Sequence, residues 1–131
     1  MPGGRELGVG AVEEAVRRYL DLLGTGTVAQ ILAGFAAGAI IEDPVGSQPL
    51  TDRPGMERLY GSLAGHDRSV VLHWIRAAGD SAVFSFTLRT VAPGGRATEI
   101  DVVEVMTFDE EIKVARMRAF WGPEHVRTTS A

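Results

Sequence analysis

Hydrophobic and polar residues follow two different periods along this chain, and the period changes near its middle. In residues 11–23 the apolar side chains recur every three or four positions, the spacing of one face of an α-helix, and Gly24 follows them. The sequence predicts two further helices, over residues 27–36 and 53–63. Pro54 falls in the first turn of the last of these, where proline is well tolerated.

After the third predicted helix the period becomes two, which is typical of strands. The predicted strands are rich in Val, Ile, Phe and Thr and span residues 69–77, 81–91, 96–108 and 112–121. Short connections of hairpin length separate them, so we expect an antiparallel meander. Three N-terminal helices followed by such a sheet indicate an α+β fold with the helices on one face. A strongly curved sheet closes around its helices as a cone, and a pocket at the open mouth is the expected ligand site.

Size and composition indicate one globular domain. The chain has 131 residues, 45% of them hydrophobic, which is enough for one core and too few for two domains. We predict a single domain over residues 11–126. The glycines and proline of residues 1–10 predict a flexible leader, and residues 127–131 predict a flexible polar tail.

Charge, cysteine content and the lack of long apolar stretches argue against nucleic acid, disulfides and a membrane span. The 13 basic and 17 acidic residues give a formal net charge of −4 and are scattered, without a basic stripe for a nucleic acid backbone. The chain has no cysteine, which excludes disulfides and thiolate chemistry. No apolar stretch approaches the roughly 18 residues of a membrane span, and no signal pattern opens the chain. We therefore expect a cytoplasmic protein that binds neither nucleic acid nor membrane.

Asp43 lies in an apolar setting that suits a general base. It follows Ile40, Ile41 and Glu42 and precedes Pro44. Strand alternation places Asp43 on the same face as Ile41, and a carboxylate on an apolar face has a raised pKa and accepts protons more readily. The alternative is a strand-end aspartate that accepts backbone hydrogen bonds in the turn before Pro44.

Glu104 lies in residues 100–106, where apolar residues occupy both strand faces. A buried carboxyl without a neighbouring cation stays protonated and becomes a hydrogen-bond donor. The alternative is a rim position with access to solvent.

Two tyrosines are also candidates. Tyr19 and Tyr60 are the chain's two tyrosines, and each lies on an apolar helical face. A buried phenol needs a hydrogen-bond partner, which is either a backbone carbonyl or a group in a site. The three histidines have no ligand-like spacing, so we predict no metal site.

Taken together, these residues resemble the Δ5-3-ketosteroid isomerases, whose cone-shaped fold is shared with nuclear transport factor 2. The resemblance covers about residues 11 to 125, and its most specific segment is residues 41–49. Asp43 falls on the family's catalytic base, Tyr19 on the tyrosine that donates to the steroid C3 oxygen, and Tyr60 on the tyrosine that supports it. Two further segments, residues 35–36 and 116–121, resemble segments that line the family's pocket.

The chain departs from the family pattern at two positions. The family's second oxyanion donor is an aspartic acid followed four residues later by phenylalanine, and here Glu104 precedes Phe108 by that spacing. The extra methylene moves the carboxyl by more than about 1 Å, enough to change donor geometry. Asp101 lies on the opposite strand face. A third tyrosine found in some members is replaced by Phe35, so we expect a shorter hydrogen-bond network.

The resemblance implies a steroid Δ-isomerase that needs no cofactor. Ketosteroid isomerases combine an aspartate base with a tyrosine and a protonated acid at the oxyanion, and here those roles fall to Asp43, Tyr19 and Glu104. The resemblance also implies a homodimer formed through the outer sheet face. The residues expected to line the steroid pocket are Phe35, Phe86, Met117 and Trp121.

Two other functions fit the same cone. One is a different small enzyme, such as an epoxide hydrolase or a polyketide cyclase, whose acids activate water or another carbon acid. Such an enzyme needs additional polar residues in its pocket. The other is a module that binds a steroid, or protein partners, without turnover.

Overall fold

The first helix forms because its apolar residues lie on a single face. In the computed structural model, which describes residues 8–63 and 65–130, α1 (Val9–Thr25) buries that face. The buried residues of α1 are Val12, Val16, Tyr19, Leu20 and Leu23. The helix ends where the amide of Gly26 donates to the carbonyl of Leu22. The predicted leader lies largely outside the described residues, and its last two residues belong to α1.

The remaining elements follow in an α+β order. They are α2 (Val28–Leu32), β1 (Phe35–Glu42), α3 (Arg53–Gly61), β2 (Asp67–Ala78), β3 (Ser81–Val91), β4 (Ala97–Phe108), β5 (Val114–Phe120), a 3-10 turn (Pro123–His125) and β6 (Val126–Thr129). In the described residues, three helices pack on a curved, mixed six-stranded sheet. This confirms the predicted fold class. No described helix is both long and apolar enough to cross a membrane.

The second helix is shorter than its apolar spacing predicts. Thr27 and Gln30 cap its start reciprocally, each side chain bonding the other's backbone amide. The helix ends at Leu32, because Phe35 already pairs with Val114 of β5 and starts β1. The prediction that the helix extends to residue 36 is therefore wrong at its C-terminal end.

The sheet order is β1-β5-β4-β3-β2, and β1 runs parallel to β5. The neighbours β2 to β5 pair antiparallel, which confirms the predicted meander. Alternate residues of β3 and β4 point inward and meet the buried face of α1 in one core cluster.

The C-terminal residues form a strand instead of the predicted flexible tail. β5 pairs only with the second half of β4, from Val103 onward, so the first half has an open edge. β6 fills that edge by pairing with Ala97–Ile100. Backbone groups at an open edge favour such pairing, and Arg127 adds hydrogen bonds to Asp101 and Glu99.

Candidate active site

Asp43 lies at the end of β1, on the inner side of the sheet. Ile41 is fully buried, whereas Glu42 faces outward and pairs with Arg116 and Arg118 at 3.1 and 3.0 Å. The amide of Val45 donates to the carbonyl of Ala119 at 2.8 Å, which ties the following loop to β5. The alternation of β1 thus separates two neighbouring carboxylates onto opposite faces, as the sequence predicts.

The Asp43 carboxyl is held by a side chain and not by a turn. The indole nitrogen of Trp121 donates to Oδ1 of Asp43 at 2.7 Å. Within the described residues it is the single hydrogen bond found at this carboxyl, so the alternative of an aspartate held by backbone amides does not apply. Burial raises the pKa of Asp43, and the Trp121 hydrogen bond offsets part of that rise.

Glu104 is buried on β4, between Phe84 of β3 and Ala119 of β5. Only 3% of its surface is exposed, so it is not a rim residue. Burial raises its pKa well above the usual range for a glutamic acid, and the nearby Asp43 carboxylate raises it further. Its Oε1 has no hydrogen-bond partner among residues 8–63 and 65–130.

The two tyrosines, one on α1 and one on α3, contact each other through their side chains. The hydroxyls of Tyr19 and Tyr60 are 2.9 Å apart, and the hydroxyl of Tyr60 donates to Sδ of Met117 at 3.6 Å. Burial raises the pKa of both phenols, and Glu104 raises it further. Their bonds therefore run to other side chains and not to backbone carbonyls.

One cavity of about 190 Å³ brings most of the predicted site residues together. Asp43, Tyr19, Tyr60 and Glu104 all line it, and so do two of the four predicted substrate-binding residues, Phe86 and Trp121. The rest of the wall is Leu23, Leu59, Ser62, Leu63, Leu88, Ile100 and Val102. Asp43, Tyr19, Tyr60 and Glu104 therefore meet at a pocket whose remaining wall is mostly apolar.

The other two predicted substrate-binding residues, Phe35 and Met117, are not on this wall. Phe35 packs edge-on against the ring of Tyr19 and lines a second cavity of about 350 Å³, to which Tyr19 also contributes. Met117 is fully buried and contacts Tyr60 through its sulfur. Both residues therefore contact the tyrosine pair instead of lining the cavity of about 190 Å³.

Apart from Phe86 and Trp121, the sequence analysis missed the apolar wall of the cavity, although the strand alternation contains much of it. Inward residues of β3 and β4 pair in three successive rows: Phe84 with Glu104, Phe86 with Val102, and Leu88 with Ile100. Glu104 lies in the most deeply buried row, and Ile100 lies in the row nearest solvent. The cavity thus has a polar inner end and an apolar outer end.

Comparison with known proteins identifies the family of the chain. The chain matches the SnoaL-like domain family over residues 16–117. It is 41% identical over 120 residues to a steroid Delta-isomerase of Nocardioides simplex, a match that covers 92% of this chain and 97% of the relative.

A solved structure has the same fold. SalBIII, described as an epoxide hydrolase/cyclase-like enzyme with a role in pyran ring formation in the polyether salinomycin, superposes with a TM-score of 0.84. The identity is 25%, and the match covers 92% of this chain and 97% of SalBIII. The chain therefore belongs to the SnoaL-like family of the nuclear transport factor 2 fold, in the group of the steroid Delta-isomerases, and is an isomerase.

Proposed function

We propose that this protein converts Δ5-3-ketosteroids into conjugated Δ4-3-ketosteroids by moving one proton from C4 to C6. The observation that carries the proposal is the shared cavity, which the Asp43 carboxyl lines together with the phenol of Tyr19 and the buried carboxyl of Glu104. The steroid Delta-isomerase relative supports the substrate class.

In the first step the Asp43 carboxylate removes a proton from C4. Trp121 occupies Oδ1, which leaves Oδ2 as the oxygen that accepts the proton. The electron pair of the C4–H bond moves into the ring and onto the C3 oxygen, giving a dienolate. The raised pKa of Asp43 favours this transfer, because a stronger base accepts a proton from carbon more readily.

Tyr19 and Glu104 stabilise the charge that develops on the C3 oxygen. Both side chains are buried, and burial raises both pKa values, so both groups retain their protons when a negative charge appears beside them. Glu104 has an oxygen, Oε1, without a protein partner, which is consistent with a carboxyl whose partner is a ligand.

In the second step the protonated Asp43 returns the same proton to C6. The double bond moves from C5–C6 to C4–C5, the C3 carbonyl reforms, and Asp43 is again a carboxylate. No electron is gained or lost overall, so the isomerisation needs only a base and fixed donors.

A cyclase or epoxide hydrolase activity is the second candidate, favoured by the structural likeness to SalBIII. Water activation or ring opening needs additional polar groups around the substrate. Besides the four groups already assigned, two polar side chains line the described cavity, and each already donates to the protein. The indole nitrogen of Trp121 donates to Asp43, and the hydroxyl of Ser62 donates to the carbonyl of Leu59 at 2.7 Å. The apolar wall favours a hydrocarbon substrate body, as a steroid has.

The test is ultraviolet absorbance with a Δ5-3-ketosteroid, since the conjugated product creates a new band. We expect the wild-type protein to produce that band, and Asp43→Asn to slow its appearance by about 10² to 10⁴-fold while steroid binding persists. Glu42→Gln is the matched control, because it neutralises the adjacent carboxylate on the outer face. Absence of the band with wild type, or an equal loss in both variants, would contradict the proposal.

A further inference from the structure

A buried chain of three side chains extends from the catalytic cavity into the core. The hydroxyl of Tyr19 lies 2.9 Å from that of Tyr60, which donates to Sδ of Met117 at 3.6 Å. Tyr19 is 7% exposed, Tyr60 3% and Met117 0%, so all three side chains are buried. Phe35 packs against both phenol rings, with centroids 6.1 Å away, but has no polar atom to offer.

Counting protons fixes the direction of this chain. A thioether sulfur has no proton, so Tyr60 must be the donor in its bond with Met117. The hydroxyl of Tyr60 has only one proton to donate, so its oxygen accepts the hydrogen bond from Tyr19. In this arrangement Tyr19 donates toward the core and not toward the cavity. For Tyr19 to donate to a ligand, the O–H of Tyr60 must turn away from the sulfur of Met117 and donate to the oxygen of Tyr19.

We infer that Met117 is a positioning residue for Tyr19. Its sulfur accepts the hydrogen bond of Tyr60 in the free enzyme, and that bond breaks when a ligand oxygen becomes negative. Tyr60 then donates to Tyr19, and Tyr19 donates to the ligand. The inference rests on the proposed function of Tyr19. A thioether is a weak acceptor, so the hydrogen bond from Tyr60 to Met117 breaks at little cost when an oxyanion develops beside Tyr19.

The burial and strand pairing of Met117 support this role. It lies on β5 opposite Met106 of β4 and beside Ile41 of β1, so its position is fixed by the sheet on both sides.

The test replaces the sulfur with a hydrocarbon of similar size, Met117→Leu. Tyr60 then has no acceptor except Tyr19, so Tyr19 is free to donate before a ligand arrives. Equilenin, a steroid with a phenolic A-ring, is the probe, and its fluorescence distinguishes the bound phenol from the bound phenolate. We expect Met117→Leu to bind equilenin about two- to fivefold more tightly, within the range of one weak hydrogen bond, and to hold a larger phenolate fraction.

Two controls separate this effect from altered packing. Met106→Leu makes the same substitution at the buried, paired methionine of β4, for which the structure shows no hydrogen bond to either tyrosine, and should leave the phenolate fraction unchanged. In a Tyr60→Phe background, Met117→Leu should have no further effect, because the proton that it redirects is gone. A packing effect would persist in that background.

A second measurement needs no ligand. The chain has two tyrosines, so carbon-13 labelling at the phenol carbon gives two NMR signals in the free enzyme. The signal of Tyr60, identified by its loss in Tyr60→Phe, should move in Met117→Leu and stay in place in Met106→Leu. Equal movement in both variants, or weaker equilenin binding by Met117→Leu than by wild type, would overturn the inference. Absence of isomerisation by wild type would overturn the proposed function instead.

Discussion

Trp121 and Asp43 are 78 residues apart, and a 2.7 Å hydrogen bond joins the indole nitrogen of the first to Oδ1 of the second. Trp121 follows β5 and Asp43 follows β1, and these two strands are parallel neighbours in the sheet. The bond therefore depends on the sheet pairing, and it holds the Asp43 carboxyl in a fixed orientation. It also favours the charged form of a carboxyl whose burial disfavours it.

The first prediction concerns the pH dependence of catalysis in Trp121→Phe. Asp43 must be ionised to act as a base, so kcat/KM rises with pH through its pKa. Removing the indole donor leaves burial unopposed and raises that pKa further. We expect the acidic limb of the profile to move to higher pH, with much of the rate recovered above it. Trp74→Phe, at the exposed tryptophan of β2, is the control and should leave the limb unchanged. An unmoved limb in Trp121→Phe would show that the indole does not tune the base.

The second prediction concerns Glu104 as a donor. A neutral amide can replace a protonated carboxyl as a donor, whereas a hydrocarbon cannot. We expect Glu104→Gln to keep much of the activity and Glu104→Leu to lose about 10 to 10³-fold in kcat, the usual scale for one oxyanion donor. The measurement is steady-state isomerisation by variants whose folding is checked by circular dichroism. If the leucine variant matches wild type, Tyr19 is the sole donor.

The third prediction follows from the raised pKa of Glu104 and concerns stability. At pH values below about 4.3, the pKa of an unfolded glutamic acid, Glu104 is protonated in both the folded and the unfolded chain, so its ionisation does not lower the stability of the fold. Above it the unfolded chain releases the proton and the folded chain retains it, so the free energy of unfolding falls by at most about 1.4 kcal/mol per pH unit. Glu104→Gln removes this loss. In urea unfolding, its stability relative to wild type should therefore grow from pH 5 to pH 8.

Glu42 gives the matched comparison with the opposite sign. The hydrogen bond from Arg116 lowers the pKa of Glu42, and Arg118 lowers it further. Its contribution to stability is therefore present at neutral pH and is lost as pH falls through the lowered pKa. Glu42→Gln should lower stability at neutral pH and have less effect in acid. The same pH trend in both variants would contradict the assignment of Glu104 as the buried, protonated acid.

The periodicity of the sequence predicted most of the fold, because burial on one face directly sets the spacing of apolar residues. It failed where tertiary pairing decided the outcome. Phe35 follows a helical run, yet pairing with β5 places it in a strand. Residues 127–129 have the composition of a polar tail, yet the open edge of β4 orders them. Neither partner can be seen in the local sequence.

The candidate site was predicted mainly by matching residues to a family pattern, and the structure adds which of them face one cavity. Asp43, Tyr19, Tyr60 and Glu104 share it, which spacing alone could not establish because they lie on separate elements. Met117 shows the limit of the pattern. A methionine near a pocket suggests a lining residue, and only the structure reveals its contact with Tyr60.

The fourth prediction tests how the substrate lies in the cavity. Ile100 is four residues before Glu104 on β4, so their side chains share one face and lie about 13 Å apart along the strand. If the reacting ring of a steroid contacts Glu104, its distal rings reach Ile100. Contacts there are equal in the ground state and the transition state, and truncating them weakens binding without slowing chemistry. Ile100→Ala removes three side-chain carbons. We expect it to raise KM about four- to fifteenfold, the scale of one to two buried methylene groups at about 0.8 kcal/mol each, with kcat unchanged.

Two comparisons make that prediction specific. Ile75→Ala truncates a partly buried isoleucine of β2 that does not line the catalytic cavity, and should leave KM unchanged. A bicyclic Δ5-3-keto analogue that lacks the distal rings should have the same KM with Ile100→Ala as with wild type, because no part of the analogue reaches Ile100. A fall in kcat with an unchanged KM for the full steroid would mean that the distal rings do not lie against Ile100, and that the substrate enters the cavity in another orientation.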